Sequence, residues 1–266
     1  MNKFVKALKA INSIIRNPYL LNKVSDEESS WKKYVNEQYQ LPLGLPFVDI
    51  TTLFNDFDIK VSPYAYLDGA TLPIDIALLK ALAMKYKVGK YFEIGTWRGE
   101  SVANIAEIVP ECYTLNLPDL EMFEMGMDED YVKMHRFFSE NKSNIKHISG
   151  NSHTFDFSNW LKKFDMVFVD GDHHYQSVKK DTQTAFELVK DENSIIVWHD
   201  YAYEPETIRW SVMSGILDGC PSDKRNRIYH ISNTLCAVYL NEKLESDWLK
   251  INVTPKHWFE VNIKSI

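Results

Sequence analysis

The chain has 266 residues, 45% of them apolar and 25% charged, which is enough for one large α/β domain with an added segment and for a core that needs no disulfide. Its net charge of -7, from 37 acidic against 30 basic residues, lacks the basic excess that neutralises phosphates, so nucleic acid is not an expected partner. Cys112, Cys220 and Cys236 match no metal-binding spacing; Cys112 and Cys236 lie in apolar runs and read as core residues of a protein in a reducing, cytoplasmic compartment.

The basic N-terminus lacks the continuous apolar run of a signal peptide, and no stretch approaches the roughly 20 apolar residues of a transmembrane segment. Phe4, Leu8, Ile11 and Ile15 recur at helical spacing, flanked by Lys3, Lys6, Lys9 and Arg16. Such a helix packs on the domain, packs on a partner subunit to give a homo-oligomer, or lies on a membrane surface as a peripheral contact. Pro42, Gly44 and Pro46 mark a turn-rich linker. Residues 1–70 therefore read as a mainly helical, partly irregular extension, and residues 71–266 as a continuous α/β domain.

From Thr71 the pattern changes. Ile74, Ala77, Leu78 and Ala81 give a helix face, with Pro73 suited to the first turn. Short apolar strands are expected at residues 90–94, 112–115, 145–148, 166–169 and 194–198. Helices are expected between them at 101–108, 128–140 and from Tyr175 to Val189, then at 206–217. Residues 227–231 and 235–240 close the domain as a hairpin. Alternating strands and helices predict a parallel sheet with helices on both faces and an antiparallel strand from the terminal hairpin. Strands without polar alternation agree, because they are buried on both sides. In such sheets ligands bind beyond the carboxyl ends of the strands.

The residues at those ends carry the chemistry. After the first strand, Glu93-Ile94-Gly95-Thr96-Trp97-Arg98-Gly99-Glu100-Ser101 brackets a tight turn with two glycines, and the following helix start offers free N–H groups. Trp97 stands where a dinucleotide fingerprint requires glycine. After the fourth strand comes Asp170-Gly171-Asp172-His173-His174, and after the fifth His199-Asp200-Tyr201. Adjacent strand ends lie about 5 Å apart. If these two strands are neighbours, Asp170, His199 and Asp200 converge on one ion, and a mixed carboxylate and imidazole set leaves the metal open. Met122, Met125, Met127 and Met134 lie among acids in a stretch that is either a lid or an inserted helix.

The run Glu-x-Gly-x-x-x-Gly-x-Ser resembles motif I of class I methyltransferases dependent on S-adenosylmethionine (SAM). Together with Phe-Val-Asp-Gly-Asp-His-x-Tyr and the strand ending His-Asp-Tyr, it is similar to the macrocin and catechol types of O-methyltransferase over about residues 91–240. The resemblance implies a Rossmann-like fold. It implies SAM held by Glu93, Gly95, Thr96, Trp97, Gly99, Ser101 and Asp170, with Asn116 and then Asn151 and Ser152 at the next two strand ends. It implies magnesium or manganese at Asp170, His199 and Asp200, with Asp172 as general base and His173 as the second choice. The acceptor it suggests is a small-molecule or saccharide hydroxyl. This chain departs from the family by carrying His199, Asn116 and Asn151 where acids are common. Two other readings stand beside it. Asp170-Gly171-Asp172 alone also suits a metal-dependent nucleotide-sugar glycosyltransferase, and the asparagines suit a cofactor-binding protein of the same fold without turnover.

Overall fold

A computed structural model describes residues 3–18, 28–69, 71–250 and 257–265; residue 70, where the sequence places the domain boundary, lies outside them. In chain order the elements are α1 (Lys3–Arg16), α2 (Glu28–Tyr39), β1 (Phe47–Val48), α3 (Ile50–Leu53), α4 (Pro73–Lys85), β2 (Lys90–Ile94) and α5 (Glu100–Ile105). Then follow β3 (Glu111–Asn116), α6 (Asp119–Glu124), α7 (Glu129–Met134), β4 (Ile145–Ser149), β5 (Met166–Val169), α8 (Tyr175–Leu188) and β6 (Ile195–Trp198). The last are β7 (Ala202–Glu204), β8 (Thr207–Ile208), α9 (Trp210–Gly219), β9 (Ile228–Ile231) and β10 (Ala237–Tyr239).

The main sheet runs β1-β9-β10-β6-β5-β2-β3-β4. Every pairing is parallel except those of β10, which is antiparallel to both β6 and β9. This is the Rossmann-like sheet with an antiparallel hairpin strand. The chain leaves β2 toward β3 and β4, then crosses back to lay β5 on the other side of β2. The boundary between β2 and β5 is therefore the topological switch point where such sheets open a crevice.

Alternate residues of each strand face opposite sides. Phe92, Ile94, Val167, Val169 and Trp198 pack with residues of α2, α8 and α9. Tyr91, Met166, Phe168 and Val197 pack with α3, α4 and α5. Both faces are thus covered, the reason these strands show no polar alternation. Cys112, Cys220 and Cys236 are buried free thiols.

Several elements differ from expectation, each for a tertiary reason. The helix expected at 101–108 starts at Glu100 and ends at Ile105. The helix expected at 128–140 is only Glu129–Met134. Beyond it Arg136 N–H donates to Trp97 O at 2.8 Å and Phe138 N–H to Arg98 O at 2.9 Å, so donors a helix would use bond to the loop after β2. The helix expected at 206–217 begins at Trp210, after the β7–β8 hairpin. Its start is fixed by Glu28 of α2, whose carboxylate accepts from the Trp210 and Ser211 N–H groups and from Ser211 Oγ. A cap supplied from so far away leaves no local mark. The extension also completes the sheet, because β1 pairs with β9 at its edge. The hydroxyls of Tyr34, Tyr39 and Tyr175 all donate to Asp218, and Trp31 stacks on Tyr175 at 4.6 Å, which fastens α2 to α8 and α9.

Candidate active site

Gly95 and Gly99 both adopt left-handed backbone, with φ of 96° and 77°. A Cβ on Gly95 would lie 2.0 Å from the Asp170 carbonyl oxygen, and one on Gly99 would lie 2.2 Å from Ser139 Oγ. The glycines are therefore demanded by the protein's own close packing. Gly95 lets the end of β2 lie against the end of β5, where Asp170 N–H donates to Ile94 O at 2.8 Å. The glycine loop and the acidic cluster are held side by side at the switch point.

Beneath the loop sits Glu93, fully buried. It accepts from Tyr91 Oη at 2.7 Å and Thr114 Oγ1 at 3.2 Å, and Thr96 Oγ1 lies 2.6 Å from Thr114 Oγ1. Burial, reinforced by the charge of Asp170, pushes the Glu93 carboxyl up to about 8 against the opposing bonds from Tyr91, Ser101 and Thr114. The folded chain therefore holds a proton that the unfolded chain releases near 4.5, and stability falls as pH rises from 4.5 to about 8. Glu93→Gln removes that titration. The variant is expected to gain stability over the parent progressively across this window, read by denaturant unfolding below and above it. A pH-independent difference would show that Glu93 is charged in the fold.

Thr96, Gly99 and Ser101 are buried and shape the loop from within, whereas Gly95, Trp97, Asn116, Asn151, Ser152 and Asp170 are partly accessible. The Trp97 ring lies 4.5 Å from Tyr131 and 4.9 Å from His135, so the methionine-bearing stretch packs on the loop through α7. Gly150 N–H donates to Asn116 O at 2.8 Å, which brings the ends of β3 and β4 together. Asn151 Oδ1 accepts from His153 N–H at 3.0 Å. Ser152 bonds to Asp181 of α8, a buried acid the sequence did not single out, which burial raises to about 6.

β5 and β6 are neighbours, and Asp170, His199 and Asp200 offer ligand atoms all within 4.8 Å of one another. His199 Nδ1 is 3.0 Å from Asp170 Oδ1 and 3.3 Å from Asp200 Oδ2. Yet Nδ1 makes no hydrogen bond to either oxygen. On the other side of the ring, Nε2 is 3.1 Å from Asp75 Oδ2. Asp75 is wholly buried and also accepts from the N–H groups of Leu72 at 3.2 Å and Leu235 at 2.9 Å. Burial alone would lower the His199 pKa; Asp170, Asp200 and Asp75 outweigh it and hold the imidazole well above its usual range. For Asp200, burial acts upward, and contact with His199 overrides it, so its carboxyl is depressed. Sequence reasoning missed Asp75, since an acid in the first turn of a helix reads only as a partner for the helix dipole.

Asp172 lies outside this triad. Its Oδ1 accepts from His174 N–H at 3.2 Å and lies 2.5 Å from His174 Nδ1, while Oδ2 accepts from Ser177 Oγ at 2.7 Å. Partial burial would raise its pKa, but these bonds prevail and lower it. His174 is the N-cap residue of α8. His173 has an exposed side chain with Nδ1 3.8 Å from Asp200 Oδ2, and burial together with Arg209 lowers its pKa. Arg209, also unforeseen, places Nη1 3.7 Å from Asp200 Oδ1.

These features define an α/β protein with a candidate ligand site at its switch point, built from a glycine loop and an Asp-His-Asp cluster. Residues 92–201 match the family model described as a methyltransferase domain, in agreement with the class I resemblance. The R132 protein of Acanthamoeba polyphaga mimivirus is 28% identical over 158 residues, 54% of this chain, and the chain spans 64% of that relative's length. An O-methyltransferase from Bacillus cereus solved with SAH is similar at 14% identity and a TM-score of 0.44, over 80% of this chain and 99% of that one. The O-methyltransferase TomG from Streptomyces achromogenes, solved with SAM, is similar at 16% identity and a TM-score of 0.42, over 65% and 82%.

Proposed function

We propose that the chain is a SAM-dependent O-methyltransferase that uses magnesium or manganese and acts on a hydroxyl of a small molecule or saccharide. One observation carries this reading: Asp170, His199 and Asp200 converge beside the glycine loop of a methyltransferase domain. The donor set fits a divalent cation that would displace the imidazole proton, because two carboxylates face a buried imidazole nitrogen that has no hydrogen-bond partner. Asp75 fits as the outer carboxylate that fixes the ring through Nε2. The buried Trp97 Nε1 in the loop and Asp181 Oδ1 on α8 also lack partners, and both are available to a cofactor rich in donors and acceptors.

SAM supplies an activated methyl group, and the cation supplies charge that makes a hydroxyl easier to deprotonate. This chain's residues do the rest. Gly95, Thr96, Trp97, Gly99 and Ser101, with Glu93 beneath, would hold the cofactor from one side. Asn116, Asn151 and Ser152 would hold it from the ends of β3 and β4, and Asp170 would serve both cofactor and cation. His173 is the better proton acceptor, since its lowered pKa keeps it neutral near pH 7, whereas both oxygens of Asp172 are already bonded. We assign this chemistry to residues 71–266, with 1–70 as the extension. The buried free thiols support a cytoplasmic setting. Among the described residues no helix is long and apolar enough to cross a membrane.

A glycosyltransferase would need Asp170 and Asp172 on one ion, and the bonds that hold Asp172 to the start of α8 disfavour it. Calorimetric titration of SAM, with magnesium or manganese and then with a chelator, tests the proposal. Micromolar binding is expected, with an acceptor-linked heat that the chelator removes. Absence of SAM binding in every condition would overturn the reading. Binding with no turnover on any hydroxyl acceptor would favour the non-catalytic alternative.

A further inference from the structure

We propose that α1 is an amphipathic anchor for an anionic lipid surface. None of its side chains is buried, and Leu8, Ile11 and Ile15 are 53%, 54% and 72% exposed. At the helical repeat these three align with Phe4 in one arc, which Ala7 and Ile14 widen. Lys3, Lys6, Lys9 and Arg16 lie on the remaining circumference, with Val5, Ala10, Asn12 and Ser13 among them. A helix of 14 residues is marginal in water by propensity alone, so an apolar stripe of this kind points to a surface that covers it.

Charge selects that surface. The helix carries four cations and no acid in a chain of net charge -7, so the rest of the chain is more acidic still. The chain's own acidic surface is tethered to α1 at high local concentration, yet Leu8, Ile11 and Ile15 stay 53% to 72% exposed. An anionic bilayer meets both halves of the helix at once. Its apolar layer takes Leu8, Ile11 and Ile15, and its headgroups take the lysines, whose long stems reach outward.

The place of attachment adds meaning. Glu28, the first residue of α2, is bonded to Trp210 and Ser211 at the start of α9, next to Arg209 and its neighbour Asp200. The chain between Arg16 and Glu28 reaches at most about 40 Å. A bound α1 would thus hold Glu28, beside the mouth of the candidate site, within about 40 Å of the anchored helix. The anchor does not rest on the methyltransferase reading; if both hold, hydroxyls displayed at a membrane surface come within reach.

The test is co-sedimentation of the full chain with vesicles of phosphatidylcholine mixed with phosphatidylglycerol, and with phosphatidylcholine alone. Binding to the anionic vesicles is expected. Leu8→Ser with Ile11→Ser should weaken it by at least about 100-fold, and Lys6→Gln with Lys9→Gln by roughly 30-fold. Both double variants should melt as the parent does, because α1 contributes nothing to the buried core. Failure to bind either vesicle overturns the proposal, as does equal binding to both. A dimer that the Leu8/Ile11 variant dissociates, with no vesicle binding, would assign the stripe to a second copy of the chain and overturn it too.

Discussion

Gly95→Ala is expected to destabilise the fold by about 4 kcal/mol and to dismantle the candidate site with it. Two costs add. A side chain at φ 96° is strained wherever it occurs, by roughly 1–2 kcal/mol. The new methyl would also sit 2.0 Å from the Asp170 carbonyl oxygen and 2.9 Å from Gly171 Cα. Those are backbone atoms of β5's end, so relief requires β2 and β5 to part, at a further cost of about 1–3 kcal/mol. Their separation would move Asp170 away from His199. Gly126 provides the control. It too has positive φ, at 87°, but nothing lies within 4 Å of its would-be Cβ. Gly126→Ala should therefore cost only the strain. Denaturant midpoints of both variants measure the difference, and equal losses would refute the packing argument.

Asp170→Asn is expected to reduce methyl transfer by more than about 100-fold, beyond what changes in outer-sphere partners cost. The change is isosteric. Thr71 Oγ1, which donates to Asp170 Oδ2 at 3.1 Å, can donate equally to an amide oxygen, so stability should change little. What is lost is one of two negative charges facing His199 Nδ1, and with it most of the attraction for a divalent cation. The metal-dependent heat should vanish while SAM still binds. Asp172→Asn is the comparison. It should change the start of α8 little, because an amide oxygen can still accept from Ser177 Oγ, leave the metal heat in place, and reduce turnover far less than Asp170→Asn. Turnover lost with metal binding intact in Asp172→Asn would restore Asp172 as the base in place of His173.

Much of this architecture is legible in the sequence. The apolar runs at 90–94 and 166–169 become β2 and β5 with the expected bounds, because strands buried on both faces admit almost no polar residue. β5 and β6 are neighbours, the condition on which the sequence reading of the cluster rested, and their adjacency brings Asp170, His199 and Asp200 together at the two strand ends. The glycine loop is equally visible, since its backbone conformation excludes other residues.

What the sequence could not carry is anything built by contact between distant segments. The start of α9 is set by Glu28, 182 residues away from Trp210. Residues 136–138 leave the helical course because the loop at Trp97 and Arg98 takes their N–H groups. Asp75 reaches His199 across 124 residues, and Asp172 turns from the cluster toward Ser177. Local propensity and periodicity record which face of a segment is apolar, so they determined the sheet, its faces and the strand ends that bear the chemistry. Partners for single polar groups depend on where those ends meet in space, so only the tertiary structure decided which carboxylates surround His199 and which one bonds to Ser177 at the start of a helix instead.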